Sequence, residues 1–232
     1  MSLNTLNTPK IWKILLTGLF LCLSTLGYAT AATANTSSSQ SPKDILEKTT
    51  TDIISKLNSK REQLKSNPKL VNKLVEETLL PHIDFITASK LVMGKYWRRA
   101  TKQQKLDFIR QFRSLLLRFY SSGLAGYLTE NEIDPNMFVF LPLRAAEGTK
   151  QVTVSSELHT PGGKIVMVRY NMHNGSKGWK VYDVSVDGIS MITTYRTSFA
   201  SEIQQKGIDG LIASLSNKNV TLLQVQSQSA NK

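Results

Sequence analysis

Three histidines, two closely spaced aspartates and a serine in a glycine-led stretch are the side chains whose types suggest catalysis. His82 follows Pro81, His159 closes a strand-like run and His173 falls in a predicted turn. Imidazole is the usual general base near neutral pH, but it needs a nucleophile or an orienting carboxylate within reach. The sequence puts neither in a recognisable spacing, so surface or capping roles are expected for all three. Asp183 and Asp187 lie four apart where a predicted strand enters a turn. That placement suits turn and capping roles better than an acid/base pair. Gly188-Ile189-Ser190-Met191-Ile192 lacks the second glycine of a nucleophile elbow, and the chain has no Gly-rich phosphate loop. One cysteine excludes a disulfide framework and a Cys-based zinc site, and the histidines are too scattered for a local metal motif. The expectation is a protein without catalytic centre, metal or cofactor.

Charge is the second chemical resource. The 232 residues carry 29 Lys+Arg against 17 Asp+Glu, a formal net charge of +12. The excess is concentrated: Lys95, Arg98, Arg99, Lys102, Lys105, Arg110, Arg113 and Arg118 face only Asp107 among acids in that interval. In a cytosolic protein such a patch would point to nucleic acid. The N-terminus argues for export instead. Lys10 and Lys13 precede an apolar stretch from Ile14 to Leu26, and a small-residue run ends in Ala32-Thr33-Ala34. This is the pattern of a cleavable signal peptide over residues 1–34, with roughly 13 apolar residues where a membrane span needs about 20. Cleavage after Ala34 would remove Cys22 and lower the formal charge from +12 to +10, since two lysines and no acid leave. An exported, cysteine-free chain follows, with an anionic lipid headgroup or membrane surface or an acidic protein as the expected partner of its basic patch and no nucleic acid.

The remaining chain must position these groups. Ser41-Pro42 gives a helix start, and Leu46, Ile53, Leu57 and Leu64 recur at helical spacing to about residue 65. Asn67-Pro68 repeats the signal for a second helix with Leu70, Val71, Leu74, Val75 and Thr78 on one face, ending before Pro81. A third covers 84–93 and stops at Gly94. Thr101 and Gln104 form a capping box that opens a long helix with Phe108, Phe112, Leu115, Leu116 and Phe119 clustered on one side, ending near Gly123 or running brokenly to Gly126.

From about residue 136 the period becomes two. Met137–Leu143, Lys150–Leu158, Lys164–Met172 and Trp179–Val186 read as strands joined by hairpin-length turns. A helical pattern returns at 194–206, is capped by Gly207 and resumes to about Ser216, with a frayed polar tail at 224–232. The fold class is α+β: an antiparallel four-stranded meander covered by N- and C-terminal helices, forming a single domain over 35–223. In the third strand Val166, Val168 and Tyr170 point one way and Ile165 and Met167 the other. Either the sheet is covered on both sides, or part of one face lines a cavity.

A resemblance narrows these alternatives. The segment YDVSVDGISMITTYRTSF at 182–199 resembles the signature of the MlaC family, also called the toluene-tolerance auxiliary family. LLPHIDF at 79–85, LVMGKYWRRAT at 91–101 with Gln104 and Phe108, and KGIDGLIASL at 206–215 match in the same order, so the likeness spans roughly 45–216. It implies a periplasmic phospholipid-binding protein that shuttles glycerophospholipid between an outer-membrane lipoprotein–porin complex and an inner-membrane ABC transporter presenting an MCE-domain ring. It also implies an apolar pocket between sheet and helices, with phospholipid as cargo rather than cofactor. On that reading Leu91, Val92, Tyr96, Phe112, Phe119, Val152, Val154, Val166, Val168, Tyr170 and Val184 are the tail-facing candidates. Lys95, Arg98 and Arg99 are candidates for headgroup or partner contact, and the chain is expected to act as a monomer. The rival readings are a ligand-free periplasmic adaptor and a small lipid hydrolase, the latter weakened by the scattered histidines.

Overall fold

The computed structural model describes residues 40–67, 69–146 and 148–229; the expected signal segment at 1–34 lies outside the described residues. Helix α1 (Pro42–Ser59) starts as its sequence dictates, with the Ser41 hydroxyl accepting from the Asp44 amide at 3.1 Å and proline in the first turn. It stops at Lys60 rather than near residue 65, and Arg61–Ser66 forms a separate short helix α2. The break is held by tertiary bonds. The Asn58 amide donates to Ile133 O at 2.7 Å and accepts from Ile133 N at 3.1 Å, and Arg61 Nε reaches Leu128 O and Asn131 O, each at 3.1 Å. Helix α3 (Lys69–Thr78) buries Val71, Leu74, Val75 and Thr78, the face its spacing predicts. A 3-10 turn (Leu80–His82) leads to α4 (Phe85–Met93), capped by Asp84, which accepts from the Thr87 amide at 2.9 Å. Gly94 (φ 52°) ends it, and a second 3-10 segment, Gly94–Arg98, follows.

The Thr101/Gln104 capping box is formed in both directions, at 3.1 and 2.9 Å, and opens α5 (Lys102–Glu130). The helix passes through Gly123 and Gly126 without a break. Each glycine costs a helix about 1 kcal/mol relative to alanine, and here burial of Leu128 (1% exposed) beyond them outweighs that cost. Tertiary packing, invisible to local propensity, sets the end.

The sheet has five strands in sequential antiparallel order: β1 (Phe138–Phe140), β2 (Gln151–His159), β3 (Ile165–Gly175), β4 (Gly178–Val186) and β5 (Ile189–Ser190). The expected meander of four therefore has one strand more. Asp187 (φ 48°) and Gly188 (φ 83°) reverse the chain in a two-residue turn with both central φ positive, and β5 pairs through Ser185–Ser190 and Val186–Ile189. Two residues are too few to show alternation, which is why the strand is silent in the sequence. β3 extends to Gly175, so His173 stands in a strand and not in a turn.

Helix α6 (Met191–Ser229) contains Gly207 at φ 73°, ψ 177°, a conformation open essentially to glycine. The two arms run in opposite senses along α5. Tyr195 and Phe199 of the first arm pack on Phe112 and Phe108, at ring separations of 5.3 and 5.9 Å, whereas in the second arm Asp209 meets Gln104 and Asn219 meets Gln111. The sequence places the break correctly, but the helix starts at Met191 and continues to Ser229 instead of spanning 194 to about 216 with a frayed end. Gly207→Ala is expected to lower stability by about 1–3 kcal/mol, read as a shifted denaturant midpoint; an unchanged midpoint would show that the reversal is not constrained there.

The apolar interior divides into three clusters. One joins α4, the second 3-10 segment, α5 and both arms of α6; another joins α1, α2, α3 and the second half of α5. The third lies on the sheet and contains Val154, Met172 and Val181, with Leu46 of α1 as its buried helical member. No helix among the described residues is long and apolar enough to cross a membrane.

Candidate functional site

The sheet register decides which side chains share a surface. Val152 pairs with Met172, Val154 with Tyr170, Ser156 with Val168 and Leu158 with Val166, while Tyr170 and Val168 pair across to Val184 and Val186. Directly paired residues project to the same side. The six strand candidates Val152, Val154, Val166, Val168, Tyr170 and Val184 therefore lie on one face, turned toward α1. Phe140, opposite Ser156, joins them and stacks on Tyr170 at 6.0 Å. The other face carries Thr153, Glu157, Arg169 and Asn171, and Ile165 is 53% exposed there. Of the two alternatives left open by the alternation, covering on both sides is not what the structure has. The inner face itself is only partly covered: Val152, Leu158, Val166, Tyr170 and Val184 are all half-buried.

Phe140, Leu158, Met172 and Val181 belong to this face and were not among the sequence candidates. Leu158 and Phe140 follow simple alternation from their strands. Val181 does not: the β3–β4 register shifts between Asn171 and Met172, so Met172 pairs with Val181 although Tyr170 pairs with Val184. Such a bulge turns both valines inward despite their odd spacing.

The helical candidates are placed differently. Val92 (1% exposed), Tyr96 and Phe112 (2%) are packed in the cluster formed with Phe199, Leu211 and Leu215, with Leu91 partly buried against it, and they are not part of the sheet-face cluster. Phe119 is 55% exposed beside Tyr120, at a ring separation of 5.2 Å. Helical periodicity finds a buried face but not the element it meets, which for Val92, Tyr96 and Phe112 is α6.

Between α1 and β1 lies a cleft of about 180 Å³, lined by Glu47, Thr50, Thr51, Pro135, Phe138 and Phe140. It reaches the inner face through its two phenylalanines, but its helical wall is polar. A larger open groove of about 560 Å³ runs along Gly188, Ile189, Ser190, Thr193, Thr194, Thr197 and Ser198. None of the tail-facing candidates lines either cleft.

Lys95, Arg98 and Arg99 are exposed and make no ion pair among the described residues; Lys95 Nζ lies 5.2 Å from the Tyr96 ring. Arg196, also exposed, joins them in space, because its side chain lies against Gly94, where an added Cβ would sit 3.7 Å from Arg196 Cδ. A residue a hundred positions away in sequence had no signal linking it to the patch.

The polar residues considered for catalysis have structural roles. The Asp183 carboxylate accepts from Ser190 Oγ at 2.7 Å and from the Ile192 amide at 3.1 Å, and Ser190 Oγ accepts from the Thr193 amide at 3.1 Å, so the pair caps α6. Asp187 accepts from the Met167 amide at 3.1 Å within its turn. His173 Nε2 meets Asp84 Oδ2 at 2.8 Å, tying β3 to the cap of α4. Burial pushes the Asp84 carboxyl up, but the Thr87 amide, the Thr87 hydroxyl and His173 together hold it below its usual range. Burial, reinforced by Lys180 and opposed by Asp52, holds His82 below the ordinary histidine value.

Both depressed values favour the folded state above the unfolded pKa and lose that contribution as pH falls through the folded one. The melting temperature should therefore fall as pH drops below about 6.5, where an unfolded histidine protonates, and again below about 4 as Asp84 titrates. His82→Gln is expected to flatten the first step; an unaltered slope would assign it to another group.

These features define an α+β protein whose helices saturate one another in two clusters and leave the apolar face of a one-sided sheet partly open. The MlaC family model, described as "MlaC protein", matches residues 47–217, and the chain belongs to this family. It is 31% identical over 199 residues to the toluene tolerance protein Ttg2D of Pseudomonas putida, covering 85% of this chain and 86% of that one. It is 22% identical over 182 residues to the intermembrane phospholipid transport system binding protein MlaC of Haemophilus influenzae, covering 75% and 80% respectively. Among solved structures it is similar to a phospholipid-binding protein from Ralstonia solanacearum in complex with a phospholipid. That match has a TM-score of 0.69 and 28% identity, and covers 78% of this chain and 98% of that chain.

Proposed function

We propose that the protein is a periplasmic carrier that encloses the acyl chains of a glycerophospholipid between the inner sheet face and the helices. In this reading it passes the lipid between an outer-membrane lipoprotein–porin complex and an inner-membrane ABC transporter with an MCE-domain subunit, and so maintains outer-membrane lipid asymmetry. The observation that carries the proposal is the thin seam over the sheet. The third apolar cluster has Leu46 as its buried helical member, while five inner-face residues stay half-buried. The phospholipid complex of the similar Ralstonia solanacearum protein supports the choice of ligand.

Physical cost explains why a carrier needs such a face. Two sixteen-carbon tails contain roughly 30 methylenes, and at about 0.8 kcal/mol each their exposure to water costs on the order of 24 kcal/mol. The tails must be swallowed, and the headgroup can stay wet. The clefts of about 180 and 560 Å³ do not reach most of the inner face, so loading requires the helices to lift along the seam. α1 is the natural moving element, since Leu46 spans that seam. Lys95, Arg98, Arg99 and Arg196 supply unpaired cations for headgroup phosphates or acidic partner surfaces. Hydrolysis of ATP belongs to the transporter, and the chain acts as a monomeric, non-enzymatic carrier.

The test is transfer. Protein loaded with labelled phospholipid should deliver it to an immobilised MCE-domain protein, and a Lys95→Glu/Arg98→Glu/Arg99→Glu variant should deliver it markedly more slowly while holding the same amount of lipid. Lipid that stays on the loaded protein would contradict the shuttle, and equal rates would remove the basic segment from docking.

A further inference from the structure

We propose that the hydroxyls of Ser156 and Tyr170 form a polar subsite inside the groove that takes an ester carbonyl of a bound diacyl lipid. This rests on the carrier reading and names the point at which the ligand is held. Ser156 is fully buried on the inner face, with Phe140 opposite it on one side and Val168 on the other. Tyr170 lies on the adjacent strand, diagonal to Ser156, with its ring stacked on Phe140. Ser156 Oγ donates to the Tyr170 hydroxyl over 3.4 Å. The two hydroxyls share this one long hydrogen bond and make no other side-chain hydrogen bond among the described residues, so one of their two protons is left for an outside acceptor. Burial raises the Tyr170 pKa above that of an ordinary phenol, so at neutral pH the group is an O–H donor and not an anion.

A donor without acceptor in an apolar surface is unfavourable, and two hydroxyls on a face that otherwise presents Val, Leu, Met and Phe call for a polar ligand atom. Hydrocarbon tails offer none. The phosphate accepts hydrogen bonds but carries a charge that resists burial. The ester carbonyls, where tails join glycerol, are neutral acceptors without a proton of their own. Their placement here also suits the rest of the molecule. Val168 is two residues from Tyr170, about 7 Å along the strand, and its cross-strand partner Val186 is 43% exposed. A carbonyl held at Tyr170 leaves the phosphate, a few bonds further on, within reach of water while the tails follow the apolar face.

The experiment compares diacyl phosphatidylethanolamine with its dialkyl ether analogue of equal chain length, which keeps the headgroup and lacks the carbonyls. In a competition assay the wild-type protein should favour the ester lipid by about five- to tenfold, the scale of one or two neutral hydrogen bonds. Tyr170→Phe retains the ring and should bring the ester-to-ether ratio close to one, with Ser156→Ala reducing it part of the way. The readout is the ratio, so a general loss of affinity in a variant does not imitate the effect. A wild-type ratio of one, or a preference that persists in Tyr170→Phe, overturns the subsite and leaves the carrier reading intact. Failure of the wild-type protein to bind either lipid overturns both.

Discussion

Val168→Asp should give a folded protein that purifies without lipid. Val168 is 6% exposed at the middle of the inner face, between Ser156 and Val186. A diacyl lipid held on this face with its ester carbonyl at Tyr170 must lie against it. A carboxylate there either stays charged against hydrocarbon, at a cost of several kcal/mol, or takes up a proton and still presents a polar group where methylenes should lie. The same substitution loads the sheet itself, so far-ultraviolet circular dichroism and a melting curve must accompany the lipid assay. Val152→Asp is the companion variant. Val152 is on the same face but half-buried, so its fold is perturbed less and its effect on binding should persist. A folded Val168→Asp protein that keeps its lipid would remove the inner face from the binding site.

Phe112→Ala is expected to behave in the opposite way. The ring is 2% exposed and packs on Phe108, Tyr195 and Phe199 at 5.6, 5.3 and 5.9 Å, which joins α5 to the first arm of α6. Truncating such a side chain costs about 3–5 kcal/mol, a large part of the 5–15 kcal/mol that an ordinary domain has. The melting temperature should fall accordingly, yet molecules that remain folded should carry as much lipid as wild type. Loss of lipid at unchanged stability would instead return Phe112 to the groove wall.

These two variants mark where the sequence was and was not sufficient. Local chemistry was readable: Ser41 with Pro42, Thr101 with Gln104, and Asp183 beside a turn each do what their types and spacing suggest. Strand faces were readable too, because a period of two leaves only two sides, and all six strand candidates fall on the inner one. What could not be read depends on contacts between distant segments. Val92, Tyr96 and Phe112 are as apolar as any groove residue, and only the reversal at Gly207, which brings Leu211 and Leu215 back onto them, identifies them as helical core. Val181 was hidden by a bulge that breaks the period. Gly123 and Gly126 suggested an end to α5 that burial of Leu128 overrides. Arg196 lies beside the basic segment because the first arm of α6 packs its side chain against Gly94, a contact that no local pattern signals.

The same division applies to mechanism. The basic run near residue 95 was visible in the sequence, but that it meets no acidic partner among the described residues is a property of the fold. Asp107 pairs with Arg110, and Glu76 with Arg113, on the neighbouring helix surfaces, and Lys95, Arg98, Arg99 and Arg196 make no ion pair among the described residues. Exposed cations of this kind suit brief encounters with anionic surfaces, since exposed charges speed association more than they tighten it.

The central claim is that the partly open sheet face is filled by phospholipid. The direct measurement is organic extraction of the protein purified in mild buffer, followed by mass spectrometry of the extract against protein concentration. The account predicts stoichiometric glycerophospholipid from the wild-type protein. An extract without stoichiometric lipid, from protein expressed in cells with ample phospholipid, would contradict it and favour an interior closed by its own side chains.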